Sequence, residues 1–138
     1  MPPSRDDLEI PNDASLLRVL LPKWSTIKGG RERPTSNSLL DSNFENSCFV
    51  EGEITIEELQ LLFPNLKVAR LRVALIRQQG FAIERRPNEA PLDCTNPNAH
   101  VVVGPTAPIE RGQYERAARN IVKHASVEVL NPPNTELH

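Results

Sequence analysis

The sequence predicts a small single-domain α+β protein, a mainly antiparallel sheet covered on one face by about three helices. Three observations carry that expectation. A chain of 138 residues is long enough for one ordinary core and short for two. Its apolar residues gather in short runs, among them "SLLRVLLP", "SCFVEG" and "HVVVG", closed by proline or glycine. Between them stand stretches at helical spacing, in no regular strand-helix alternation, which argues against a parallel βαβ sheet.

Residues 1–14 are polar, carry three prolines and have no sustained period, and read as a flexible tail. The domain is expected over 15–130. "SLLRVLLP", Ser15 to Pro22, is short and aliphatic enough for a buried strand. From Lys23 to Asn46, Gly29-Gly30, Pro34 and many Ser and Asn residues predict a long loop with at most one helical turn near Ser38 to Asn43. Ser47 to Gly52 reads as the next strand. Thr55 precedes Glu58 by three residues, the capping-box spacing that starts a helix at Ile56 and lets it run to about Phe63 before Pro64. "LKVARLRVALIRQQG", Leu66 to Gly80, places apolar residues at helical intervals and is expected as a second helix ended by glycine. "FAIERRP" follows as a short strand, residues Pro87 to Asn98 as a loop, and His100 to Gly104 as a buried β-branched strand. After a proline linker, "ERGQYERAARNIVKHA" sets Tyr114, Ala117, Ala118, Ile121, Val122 and Ala125 on one helical face. "VEVL" can add a last strand, and residues 131–138 read as a C-terminal tail.

Composition narrows the function classes. The formal charge of −2 offers no general field for a polyanion, and four Phe, one Trp and one Tyr are too few for an interleaved base-stacking surface, so nucleic acid is disfavoured. A basic face of Lys67, Arg70 and Arg77, with Arg85 and Arg86 beyond it, reads as solvated surface. No apolar run approaches the roughly 18 residues that span a bilayer, and "MPPSRDDLEIPNDAS" has acids and prolines where a signal peptide is apolar, so a cytoplasmic protein without membrane contact is expected. Cys48 and Cys94 are then expected as free thiols.

Candidate chemistry is sparse. Cys94 and His100 do not match the paired spacings of zinc motifs, and His124 and His138 stand far along the chain, so no metal site is expected. Neither cysteine begins a predicted helix, where a thiol would be activated. "KGGRERP" lacks the helix start of a phosphate loop and reads as a solvated turn, although its arginines could grip an anion. Arg18 lies inside an aliphatic strand, where a charge must be paired or face a cleft. Together with Ser36 in the following loop, Glu51 at the end of the next strand and His100 at the start of a later one, it forms the candidate catalytic set. The order of Arg18, Ser36 and Glu51 resembles the arginine, serine and glutamate pattern of some ADP-ribosyltransferases, which implies an arginine and serine that hold NAD and a glutamate that orients the ribose.

A broader resemblance runs through "LLRVLLPKW", "RPTSNSLLD", "NSCFVEG", "QQGFAIERRP" and "NPNAHVVVG", about Leu16 to Gly104. The series is similar to a family of small bacterial proteins of unassigned function, with an Arg and Pro-x-Trp stretch, an Arg-Pro-Ser-Ser loop and an Asn-Pro-Ala-His turn. Asn98 interrupts the last motif here, and Leu39-Leu40 stand in place of an Ala-Phe pair. The resemblance implies a bacterial, cytoplasmic, stand-alone module and no activity. The leading expectation is a non-enzymatic interaction module needing no cofactor, such as a small subunit or adaptor in a bacterial defence or toxin cassette that docks on a larger protein. Its contact residues would be Trp24, Arg31, Arg33, Asn96 and His100. The alternative is a nucleotide-binding or ADP-ribosyltransferase-like enzyme built on Arg18, Ser36, Glu51 and His100.

Overall fold

The structure is a computed structural model in which residues 1–125 are described. Five antiparallel strands form one sheet in the order β5-β1-β4-β7-β6, from β1 (Ser15–Leu20), β4 (Asn46–Val50), β5 (Lys67–Arg72), β6 (Ala82–Arg85) and β7 (His100–Gly104). A separate hairpin joins β2 (Ser25–Lys28) to β3 (Arg31–Pro34). The helices are α1 (Ile56–Leu62), α2 (Val73–Gln78) and α3 (Arg111–His124). The chain is therefore a small α+β domain, as its sequence predicts. The expected strand Val127 to Leu130 and the tail 131–138 lie outside the described residues.

Strand alternation divides the apolar side chains between two faces. Leu16, Cys48, Val50, Leu71, Ile83, Val101 and Val103 pack with Val73 and Ile76 of α2 and with Tyr114, Ala118 and Ile121 of α3. Leu17 and Phe49, next to them in sequence, and Val68 of β5 point the other way and meet Leu59 of α1, with Ile54, Cys94 and Ala99. The helices thus cover both faces, where one covered face was expected, because β4, β7 and β1 carry apolar residues at consecutive positions. The capping box at Thr55 is present, with the Glu58 amide donating to Thr55 Oγ1 at 3.1 Å and the Thr55 amide to Glu58 Oε1 at 2.9 Å.

Three expectations need correction. Lys67–Arg72 is strand, and only Val73–Gln78 is helix. Apolar residues at 66, 68, 69, 71 and 73 satisfy both a 3.6 and a 2-residue period over so short a stretch, and six register pairs with β1, from Ser15 opposite Arg72 to Leu20 opposite Lys67, decide for strand. The segment from Lys23 to Asn46 holds the β2–β3 hairpin and a 3-10 turn at Ser36–Leu39. Gly29 and Gly30, at φ of +58° and +77°, supply the positive dihedrals of a two-residue hairpin turn. Residues 1–14, read as a tail, lie along the edge strand β6. The Asp7 amide donates to the Ile83 carbonyl at 2.8 Å, the Asp6 carboxylate accepts from the Ile83 amide at 2.9 Å, and Ile10 is buried in the core. Arg77 and Arg85 clamp Asp6 and Asp7, each at 2.7 Å, so the segment shields a strand edge that would otherwise be open to pairing.

Candidate functional site

Arg18 occupies a break in the sheet. β1 pairs with β5 along its whole length, but with β4 the register runs only from Leu16 opposite Val50 to Leu17 opposite Phe49. Where those two strands part, the Arg18 guanidinium donates to the carbonyls of Ser38 at 2.9 Å and Ser47 at 2.5 Å. Its carbon lies 4.7 Å from the centre of the Trp24 ring, which follows β1 on a 3-10 turn at Pro22–Trp24. Burial lowers the guanidinium pKa, opposed by the thiol of Cys48 and the carboxylate of Asp41.

Arg18 and Trp24 form a wall common to two cavities. One, of about 290 Å³, is lined by Phe49, Phe63, Leu66, Pro91 and His100. The other, of about 370 Å³, lies toward Lys23, Asn37, Asp41 and Arg111. The first gathers Trp24, Phe49 and Phe63, half of the chain's few Phe, Trp and Tyr side chains, while Phe44, Phe81 and Tyr114 pack together in the core. His100 opens β7 opposite Phe49, with ring centroids 5.3 Å apart, edge to face. Its Nδ1 lies 2.8 Å from the Arg86 carbonyl, which can only accept, so Nδ1 carries a hydrogen and donates it there.

Of the candidate catalytic set, Arg18 and His100 share this cavity. Ser36 lines a different cleft, against the hairpin and α3. Glu51, just past β4, is held bidentately by Arg70 at 2.7 and 2.6 Å. The set does not assemble as one site, because a serine in the 3-10 turn and a glutamate at the opposite end of β4 belong to different edges of the fold. Among the expected contact residues, Trp24 and His100 line the aromatic cavity, Arg31 is exposed on the hairpin and Arg33 lies in the cleft with Ser36. Asn96 is structural, since its amide donates to the Glu53 carbonyl at 2.9 Å and ties the 87–98 loop to the end of β4. Phe49 becomes a partner of His100 only through the pairing of β4 with β7, and the arrival of Phe63 and Leu66 depends on the turn after α1.

Cys48 and Cys94 are buried in separate clusters on the two faces of the sheet. Burial pushes the Cys48 thiol up to about 11 against the pull of Arg18. At pH 8 that leaves about one molecule in a thousand as thiolate, the reacting form. Iodoacetamide at pH 8 is therefore expected to leave Cys48 unlabelled in the folded protein and to label it fully in urea, read by peptide mass spectrometry. Labelling of folded protein at the rate of a free thiol would refute the assignment.

Among the described residues no group of three His, Cys, Asp or Glu side chains is arranged to hold a metal, and no helix is long and apolar enough to cross a membrane. Comparison with family models, with curated proteins and with solved structures finds no match for this chain. The class that the fold defines is thus a small α+β domain with an aromatic cavity at a break between two strands.

Proposed function

We propose that the protein is a non-enzymatic interaction module, a small cytoplasmic subunit or adaptor that receives an apolar or aromatic side chain of a larger protein in the aromatic cavity. One observation carries the reading: a chain poor in aromatic residues places Trp24, Phe49 and Phe63 around a single open cavity. Leu21 on its wall is 47% exposed, and Leu92, next to the lining residue Pro91, is fully exposed. Interfaces draw most of their energy from such anchors in desolvated aromatic pockets. Small-molecule sites occupy about 300 to 1,000 Å³, and a cavity of about 290 Å³ suits a side chain better than a dinucleotide.

Chemistry has weaker support. Arg18 is engaged by two carbonyls, Glu51 by Arg70, and Cys48 is held as a thiol. The nucleotide-binding reading keeps one observation in its favour, that Arg18 and His100 line one cavity.

Co-expression with the products of neighbouring genes, followed by light scattering on a sizing column, is expected to give a stoichiometric complex. Leu21→Glu should weaken it at least tenfold while the melting temperature stays within a few degrees of wild type, as befits a charge placed on a cavity wall at an exposed position. A protein that remains monomeric with every candidate, yet melts higher with NAD, would transfer the assignment to the nucleotide-binding reading.

A further inference from the structure

The cleft between the β2–β3 hairpin and α3 has a composition unlike the rest of the surface. It encloses about 640 Å³, and every charged residue lining it is a cation: Lys28 and Arg33 from the hairpin, Arg119 and Lys123 from the helix. The chain as a whole carries a formal charge of −2, so this concentration is local. Elsewhere several cations sit on carboxylates, Lys67 on Glu32, Arg77 on Asp6, Arg85 on Asp7 and Glu53, and Arg111 on Glu115. Among the described residues, none of the four cleft cations meets one.

The hairpin register sharpens the point. Lys28 stands directly opposite Arg31, and Thr26 opposite Arg33, so three cations share one face of two short strands. Like charges directly opposite in a strand pair are destabilising. The hairpin's acid, Glu32, alternates to the other face, where Lys67 and then Ser25 hold its carboxyl below the ordinary carboxylate range. On α3, Arg119 and Lys123 are four residues apart, again a like-charge neighbour pair. The negative end of the helix dipole offsets that second repulsion; among the described residues no carboxylate pairs with Lys28 or Arg31.

A third observation concerns hydroxyls. Thr35 lines the cleft, and its Oγ1 is buried without a hydrogen-bond partner. Although Thr35 heads the 3-10 turn, its side chain does not cap it. With no surface of its own open to the cleft, that oxygen is out of a ligand's reach. Thr26 and Ser36 add hydroxyls to the same wall. Cations with planar forks, ammonium groups and hydroxyl donors around a volume of small-molecule size are the chemistry that recognises phosphate oxygens.

We propose that this cleft binds a small ligand carrying two or more phosphates, held by Lys28, Arg33, Arg119 and Lys123. The site is separate from the aromatic cavity and stands or falls independently of it.

Isothermal titration of the full chain with sodium tripolyphosphate, ATP and adenosine at low salt tests it. Both oligophosphates are expected to bind and to weaken as salt rises, adenosine is expected not to bind, and the double variant Arg33→Gln/Arg119→Gln is expected to lose affinity at least tenfold. Arg116→Gln, which removes one charge from α3 outside the cleft, should bind as wild type, whereas Arg119→Gln alone, which removes one inside it, should weaken binding. ATP binding much tighter than tripolyphosphate would assign the ligand as a nucleotide, and equal binding would assign the phosphate chain alone. No binding of either oligophosphate at millimolar concentration, binding undiminished in the double variant, or binding of a single-stranded RNA in place of both would overturn the proposal.

Discussion

Arg18→Ala is expected to lower the unfolding free energy by about 3 kcal/mol, a fall of roughly 10 °C in melting temperature for a domain of this size. The residue is 8% exposed, and its guanidinium satisfies the Ser38 and Ser47 carbonyls at the point where β1 and β4 separate. Truncation strands both acceptors at about 1 to 3 kcal/mol each, and removes the Trp24 contact, worth about 0.5 to 2 kcal/mol. Relief of the buried charge offsets part of that sum. Arg18→Met keeps the stem packing and should cost about 1 kcal/mol less than the alanine variant. Arg18→Lys should do no better than methionine, since a compact, strongly hydrated ammonium cannot reproduce a planar fork that bridges two carbonyls and stacks on indole. Urea midpoints of the three variants decide the matter. A midpoint unchanged in Arg18→Ala would mean that the guanidinium serves a ligand and not the fold.

That prediction rests on a feature only half visible in the sequence. A charge amid "SLLRVLL" announces itself, because a buried arginine must find partners. Its partners are backbone carbonyls from residues 38 and 47, and no pattern of residue types marks a carbonyl left over where two strands part. The same division runs through the fold. The strands β1, β4 and β7 and the helices α1 and α3 were legible because local signals agreed with tertiary need: β-branched runs, a capping box, a sustained helical stripe. β5 was not, since Val68, Ala69 and Leu71 fit two periods and only pairing with β1 chooses between them. The hairpin escaped because its strands, "STIK" and "RERP", are short and polar, and Gly29-Gly30 reads equally well as a loose turn. Both candidate sites are assembled from distant segments. Trp24, Phe49, Phe63 and His100 meet only through the sheet order, and Arg119 and Lys123 reach the hairpin's cations only through the packing of α3.

Asn46→Asp is expected to turn a stable protein into a pH-dependent one. Asn46 opens β4 with no exposed surface, and its amide nitrogen donates at 2.9 Å to both the Val103 carbonyl and the Tyr114 hydroxyl, while its oxygen accepts from the Asp41 amide at 3.0 Å. Tyr114 in turn donates to the Asp41 carbonyl at 3.0 Å, so one side chain joins β4, β7, α3 and the loop before β4. The chain is tightly packed at this place, since β7 ends at Gly104, where a Cβ would run into the Phe44 carbonyl. An aspartate has the same shape but no donor when ionised, and its charge would face the Val103 carbonyl in a site with no exposed surface. Its folded pKa must therefore rise above the unfolded value of about 3.9. A raised folded pKa means that stability is greatest below the unfolded pKa, where the neutral carboxyl can still donate, and falls as pH climbs through the window between the two values. The variant should lie within about 1 kcal/mol of wild type at pH 3 and about 3 to 4 kcal/mol below it at pH 7. Tyr114→Phe, which removes the hydroxyl that Asn46 serves, should cost about 1 to 2 kcal/mol and couple to Asn46→Ala in a double-mutant cycle. Urea titrations at the two pH values measure the first effect and the cycle the second. Equal losses at pH 3 and pH 7 would show that shape, and not the missing donor, is what position 46 requires.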